Sequence, residues 1–316
     1  MKESLFPGWE PLDSVKILVV GDAILDKYLI GDSDRLSPEA PVPVVKIKRK
    51  ETRLGGAANV ALNISSLGCK VSLLSCVGND ESGSELVRLL EEGGVSPYLQ
   101  ISNSFPTILK CRVIARNQQM LRTDFEGEID SASLNRMEVT FSSLCSSFDA
   151  IVFSDYGKGN LKSVSKLIQI AKNAGCQFLL VDPKGNDFSK YSGATAITPN
   201  KSELEKIVGH WKSENELIDK AQTLRKSLAI EKLLLTRSEE GMTLFDQTGQ
   251  FDVKAQAREV FDVSGAGDTV IAVLSSFLAA GFEWKCAINL ANKAGGIVVG
   301  KFGTAVIDKS ELYKLP

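Results

Sequence analysis

A chain of 316 residues can form one α/β domain with appendages or two smaller domains. Its 37 basic and 39 acidic side chains leave a net charge of -2, spread without long runs, which argues against nucleic-acid and membrane-surface partners. At 43% hydrophobic and 24% charged residues, the composition is that of an ordinary globular protein and excludes the disordered and fibrous classes.

The chain opens on MKESLFPGWEPLDS, where Glu3, Pro7 and Glu10 interrupt the apolar stretch that a signal peptide needs. The six cysteines (Cys69, Cys76, Cys111, Cys145, Cys176 and Cys286) form no CxxC pair, and the single histidine, His210, has no cysteine close by. Neither structural zinc nor a disulfide framework is expected, and a cytoplasmic location with free thiols follows as the expectation.

Five short β-rich runs read as buried strands: Lys16 to Val20, Val71 to Cys76, Ala150 to Phe153, Gln177 to Val181 and Lys232 to Leu235. In NLKSVSKLIQIAKNAG, Leu161, Val164, Leu167, Ile168 and Ala171 fall on one helical stripe and Gly175 follows as a stop, completing a βαβ unit. Repeated alternation predicts an α/β fold whose mostly parallel sheet is covered by helices on both faces, with ligands beyond the carboxyl ends of the strands. Two segments break the rhythm, 27–52 and 106–125, and both read as extended. In the second, Lys110, Arg112 and Arg116 alternate with Cys111, Val113 and Ala115, the period-two pattern of a half-buried strand. They predict a small β lid on a single domain spanning 1–316, since no internal repeat or flexible linker is evident. Val270 to Ala280 is apolar but interrupted by Ser275 and Ser276, and reads as a buried helix too short for a bilayer.

The motifs follow these strands. In GDAILD, Asp22 and Asp26 stand four residues apart at a strand end; in GGAANVALN, Gly55 and Gly56 leave room for a ligand and Asn59 offers a donor and an acceptor. They either grip sugar hydroxyls or serve as turn and capping chemistry. SDYGKG supplies Asp155 and Lys158, and VDPKG supplies Lys184. With Lys110 and Arg112 these cations either anchor an anionic substrate or are solvated surface charges. In TPNKSEL, Asn200 and Glu203 open a helix as a capping box, or as oxygen ligands to the water shell of Mg²⁺ beside a nucleotide.

The sharpest signal is DVSGAGDTVIA, Asp262 to Ala272, a glycine-rich turn before a helix starting near Asp268. Gly265 and Gly267 carry no side chain to block a phosphate, and first-turn amides and the helix dipole favour an anion. A carboxylate at such a site does not bind phosphate, so Asp268 reads as the acceptor of a proton from an attacking hydroxyl. The plain alternative is a tight turn with an Asp in its first helical turn. GGIVVGKF has two glycines and a lysine at Walker spacing, but Phe302 replaces the hydroxyl that binds Mg²⁺. No GxGxxG follows the first strand and no GxSxG is present, which removes the nicotinamide and nucleophile-elbow readings.

In order along nearly the whole chain, GD after the first strand, GGAANVA, VGNDESG, TPNKSE, TRSEEGM and DVSGAGDTVIA resemble the ribokinase-like (PfkB) family of carbohydrate kinases. Within it, GDAILDKY, RLSPEAPVPVV, RNQQMLRTDFE, SDYGKG, VDPKGNDF with YSGAT and GKFGT look most like the bacterial kinases of D-glycero-β-D-manno-heptose 7-phosphate; Leu54 departs from the Pro expected there. The resemblance implies a three-layer αβα sandwich with a β lid that also forms a homodimer clasp. It implies Asp268 as catalytic base, with Gly265, Ala266 and Gly267 supplying amides for the transferring charge. Asn200 and Glu203 would organise Mg²⁺ and the phosphates of ATP, with Thr236, Ser238 and Gly241 lining the nucleotide site and Asn292 near the adenine. Asp22, Asp26, Gly55, Gly56 and Asn59 would hold the sugar. The implied reaction is phosphorylation at C1 of the heptose 7-phosphate, in the supply of ADP-heptose for the lipopolysaccharide core. Lys158 is the first choice for the phosphate anchor, ahead of Arg112, Lys110 and Lys184. A monovalent cation near Asp262 and Gly303 is left open, and adenylylation would need a separate nucleotidyltransferase. The rival readings are a ribose, fructose 1-phosphate or nucleoside kinase of the same family, or a catalytically silent sugar sensor.

Overall fold

A computed structural model describes residues 10–116, 118–256 and 260–314. The opening stretch MKESLFPGW lies outside the described residues. The first strand, β1 (Lys16–Gly21), places Ile17 and Val19 in one apolar cluster and Leu18 and Val20 in a second, so alternate side chains reach opposite faces. All four are fully buried, each stabilising the fold by about 1.5–3 kcal/mol.

From β1 the chain runs almost directly into β2 (Ala23–Leu36), which pairs antiparallel with β3 (Pro43–Gly56) from Ala23 opposite Gly56 to Leu36 opposite Pro43. The extended region thus starts earlier and ends later than the 27–52 expected, because the ladder continues until the two strands meet the main sheet. Leu54 is buried in it, opposite Leu25. Then follow α1 (Ala57–Ser66), β4 (Lys70–Gly78), α2 (Glu81–Glu92) and β5 (Val95–Ser102). The second lid segment is β6 (Leu109–Ala115) and β7 (Gln118–Phe125). Next come α3 (Ser131–Leu144), β8 (Ala150–Ser154), α4 (Val164–Asn173), β9 (Phe178–Asp182), β10 (Ala196–Ile197), α5 (Lys201–Val208) and α6 (Glu214–Ser227). The chain closes with β11 (Lys232–Thr236), β12 (Met242–Asp246), β13 (Gly249–Val253), α7 (Ala266–Ala279), α8 (Trp284–Val298) and α9 (Lys309–Lys314).

The main sheet has the order β13-β12-β11-β10-β9-β8-β1-β4-β5, parallel except where β12 pairs with β11 and β13. Side chains of α1, α2, α7 and α8 join one apolar cluster and those of α3, α4, α5 and α6 the other, which makes the three layers. Every residue of α7 from Asp268 to Leu278 is buried, as befits a helix apolar all round. The second sheet, β3-β2-β6-β7, is the expected small β lid. Helix α4 starts at Val164, later than its stripe suggests. Asp22 holds Asn160 by its main-chain N–H and its side-chain amide, both at 3.0 Å, and Leu161 packs in the preceding turn. Among the described residues, no helix is long and apolar enough to cross a membrane.

Candidate active site

The carboxyl ends of β8, β9, β10 and β11 open onto a cavity of about 180 Å³ at the start of α7. Helix α7 begins at Ala266, two residues before the expected start, because Gly265 takes the left-handed conformation (φ 78°) at its N-cap. No side chain caps this end. The Ala266 N–H donates to the Val263 carbonyl at 3.3 Å, while those of Gly267 and Asp268 lack intrahelical partners. A Cβ at Gly267 would meet nothing within 4 Å, leaving the amides open to an anion.

Asp268 is buried, with 2% of its surface exposed. Tyr156 donates its hydroxyl to Oδ1 at 2.6 Å and Asn59 donates Nδ2 to Oδ2 at 2.8 Å. Burial pushes the Asp268 carboxyl up to about 6, against the two hydrogen bonds that favour its ionised form. Burial and the Asp268 charge hold the Tyr156 hydroxyl well above its ordinary range, so it remains a donor. A Cβ at Gly265 would lie 2.9 Å from Asn59 Nδ2, so glycine there also keeps the Asn59 bond intact.

On one side of the cavity stand Lys184, Asn200, Glu203 and Thr236. The capping box is formed: Glu203 N–H donates to Asn200 Oδ1 at 2.9 Å, and Asn200 N–H donates to Glu203 Oε2 at 3.0 Å. Glu203 Oε1 accepts from Lys184 Nζ at 2.8 Å, which groups Lys184 with the helix opening and not with the other three cations. Asp182, at the end of β9, also lines the cavity, and burial followed by the Asp268 and Glu203 charges raises its carboxyl well above the usual range. Ser238 is exposed on a turn, Gly241 is buried beyond it, and the Asn292 amide donates to the Lys254 carbonyl at 2.8 Å; none of the three lines the cavity.

The other side faces the lid. Asp22 corrects an expectation: its fully buried carboxylate accepts from the N–H groups of Tyr156, Lys158 and Asn160 and from Asn160 Nδ2, all at 2.9–3.0 Å. With both oxygens engaged, it shapes the 156–160 turn and has no free lone pair directed at a sugar. Asp155 is similarly held, by Tyr191 Oη and Lys190 Nζ at 2.7 Å on Oδ2 and by Gly157 N–H at 2.7 Å on Oδ1, though it lines the cavity. Asp26 pairs with Arg112 Nη1 at 2.5 Å, and a Cβ at Gly55 would lie 2.3 Å from its Oδ2, so glycine is required for that close approach. Gly56 is the N-cap of α1 and directs Asn59 at Asp268.

Lys110 and Arg112 lie on β6 opposite Asp26 and Tyr28 of β2. Lys110 Nζ stands 5.5 Å from the centre of the Tyr156 ring, and burial lowers its pKa, with Arg112 and Lys158 acting in the same direction. Lys158 Nζ is paired with Glu126. Beyond Arg112, a cavity of about 730 Å³ opens between the lid and the 261–264 turn, lined also by Arg49, Tyr28 and Phe302. Asp262 accepts from Ser264 N–H and Gly303 N–H, both at 2.9 Å, closing the turn.

Tyr156 and Asp182 are cavity residues that no sequence motif marks by itself. Tyr156 sits inside SDYGKG and Asp182 at a strand end, so position after a strand was the available signal; nothing local shows that either faces Asp268.

A family model described as pfkB family carbohydrate kinase matches residues 14–310. The chain is 48% identical over 303 residues to the D-beta-D-heptose 7-phosphate kinase of Bordetella bronchiseptica, covering 96% of each. It is 49% identical over 300 residues to the bifunctional protein HldE of Hahella chejuensis, covering 95% of this chain and 63% of that one. It thus spans less than two thirds of the bifunctional relatives. Among solved structures, Arabidopsis thaliana ribokinase complexed with ribose and ATP superposes with a TM-score of 0.77 at 19% identity, covering 95% of this chain and 98% of the other. Phosphofructokinase-2 from Escherichia coli, in its tetrameric inhibited form, gives 0.79 at 18%, covering 95% and 97%. At these identities the two structures speak for the fold.

Proposed function

The chain belongs to the pfkB family of carbohydrate kinases, and from that premise we propose that it transfers the γ-phosphoryl group of ATP to the anomeric C1 hydroxyl of D-glycero-β-D-manno-heptose 7-phosphate. One observation carries the chemistry. A buried carboxylate, Asp268, stands beside unpartnered amides at the start of α7, between a polar cavity at Asn200, Glu203 and Lys184 and a cationic group at Lys110, Arg112 and Lys158. The identity to the Bordetella relative supports the choice of sugar. The chain works as one kinase domain, 1–316, with the β3-β2-β6-β7 sheet as its lid.

Asp268 accepts the proton of the C1 hydroxyl as that oxygen becomes the nucleophile, and passes it on to solvent after transfer. The Gly267 and Asp268 amides meet the charge developing on the transferred group. Asp26 and Asn59 orient the sugar, so the hydroxyl is held close to the base and loses little further entropy on reaction. The donors at the other end fit a nucleotide with its ion: Asn200 and Glu203 offer hard oxygens of the kind that hold Mg²⁺ through its water shell, and Lys184 is free to trade Glu203 for a phosphate. Mg·ATP, when bound, supplies the phosphoryl group and neutralises phosphate charge.

The test is ADP release with Mg·ATP and a panel of the heptose 7-phosphate, unphosphorylated heptose, fructose phosphates, ribose and adenosine, with ³¹P NMR of the product. Selective turnover of the heptose phosphate with a new phosphate at C1 is expected; preferred turnover of another acceptor overturns the substrate assignment.

The 7-phosphate belongs with the three clustered cations. Lys158→Ala should raise KM for the sugar phosphate by roughly 10- to 150-fold, from the loss of a charge-assisted bond of about 1.5–3 kcal/mol, with KM for ATP little changed. An unchanged sugar KM moves the anchor to Lys110 or Arg112.

The lid also serves as a homodimer clasp. Strand β7 is exposed along its whole length and presents Met120, Leu121 and Phe125 to solvent, which a second lid would cover. Sedimentation at micromolar concentration should give a dimer, shifted toward monomer by Leu121→Glu; a monomer for the unaltered chain removes the clasp.

A further inference from the structure

One turn after Asn59 on α1 lies Asn63, fully buried, the last residue of GGAANVALN and one given no role there. Its Nδ2 donates to the Asn59 main-chain carbonyl at 2.9 Å and to Asn59 Oδ1 at 3.2 Å. Its Oδ1 accepts from the main-chain N–H of Ile307 at 3.1 Å and from Thr269 Oγ1 at 3.4 Å. A main-chain N–H can only donate, so Ile307 settles which end of the Asn63 amide is the oxygen. The Asn63 NH₂ then faces Asn59, whose amide must turn its own oxygen toward Asn63 and its NH₂ toward Asp268. Reversing Asn59 would set its carbonyl against a carboxylate and its NH₂ against another NH₂, replacing two attractions with two repulsions inside a buried site.

We infer that Asn63 is a positioning residue of the phosphoryl-transfer reaction: anchored by Ile307, it sets the direction of the hydrogen bond that Asn59 makes to the base. The inference rests on the reading of Asp268 as that base. It gives the 305–308 segment a part in the chemistry without contact to any substrate. Because the donor from Asn59 favours the ionised carboxylate, it opposes the burial that raises Asp268 toward 6. The titratable and charged groups facing Asp268 are Tyr156 from the turn after β8, Asp26 from β2, Lys110 from β6 and Asp182 from β9. A change at Asn63 alters none of their charges.

Asn63→Leu keeps the branched outline of the side chain, though it is larger, and removes both halves of the relay; Asn63→Ala replaces it if the leucine variant does not fold. The readouts are the pH dependence of kcat/KM and the ¹³C titration of the Asp268 carboxyl in resting enzyme. Losing a donor to the ionised form should move both the acid limb and the carboxyl titration up by about one pH unit. A lower melting temperature with both titrations unmoved assigns Asn63 a packing role and overturns the inference. So does a double variant with Asn59→Leu whose carboxyl titration shifts by the sum of the two single shifts, since residues in one relay do not add. Undiminished turnover by Asp268→Asn, with the Asn63 shift still present by NMR, overturns the base and leaves the relay.

Discussion

Replacing Asp268 with Asn should lower kcat by about 10²–10⁴, the range of a lost general base, while Mg·ATP binding is retained. The substitution keeps the size of the side chain and removes its capacity to take a proton. It should not disturb the open amides of α7, because those belong to the main chain. The unaltered enzyme carries a second signature. With the Asp268 carboxyl pushed up to about 6, it is ionised and competent above that pH and protonated below it. The acid limb of kcat/KM should therefore fall about tenfold per unit below pH 6, and Asp268→Asn should abolish that limb along with the rate. Isothermal titration with Mg·ATP separates binding from chemistry. Near-normal kcat, or an acid limb that survives the substitution, would remove Asp268 from the role of base.

The second large effect is expected at Arg112. Its guanidinium pairs with Asp26 at 2.5 Å, lies 5.3 Å over the Tyr28 ring, and leaves the two paired side chains 17% and 5% exposed. Removing one partner of a buried pair leaves the other charge uncompensated, at a cost of about 3–5 kcal/mol, and the residual exposure of Arg112 places this case near the lower end. Arg112→Ala should therefore lower stability by about 3 kcal/mol in denaturant unfolding and raise KM for the sugar phosphate, because Asp26 loses the partner that fixes it beside Gly55. The double variant Asp26→Asn, Arg112→Ala should recover part of the stability and none of the sugar binding. An unfolding midpoint unchanged by Arg112→Ala would show that the pair is too well solvated to matter.

These two residues differ in how they could be found. Asp268 follows a pattern that is local and chemically specific, a glycine turn opening an apolar helix with a carboxylate where an anion site should be. Arg112 was one of several lysines and arginines on alternating positions, and its sequence does not tell it from Arg116, which lies in the turn beyond β6 and pairs with the exposed Asp34. The same limit applied to Asp22 and Asp26. Four residues apart on one strand end, they look equivalent in the sequence, yet one is spent on four N–H groups and the other faces the lid.

What the sequence by itself determined was whatever is set by spacing along the chain: strands β1, β4, β8, β9 and β11, the α4 stripe, the extended lid strands, the α5 capping box and the glycine start of α7. Periods of 2 and 3.6 and the conformational freedom of glycine act over a few residues, so a single chain displays them. The edge strand β5 and the two-residue β10 lacked that display, the one too exposed and the other too brief to show a period. The tertiary structure alone decided which side chains meet. Tyr156 reaches Asp268 across 112 residues, Asn59 reaches it across 209, and Ile307 orients Asn63 across 244. A hydrogen bond needs its partners within about 3 Å, and only the closing of the parallel sheet, with α1 and α7 packed on one face of it, brings such distant positions that close.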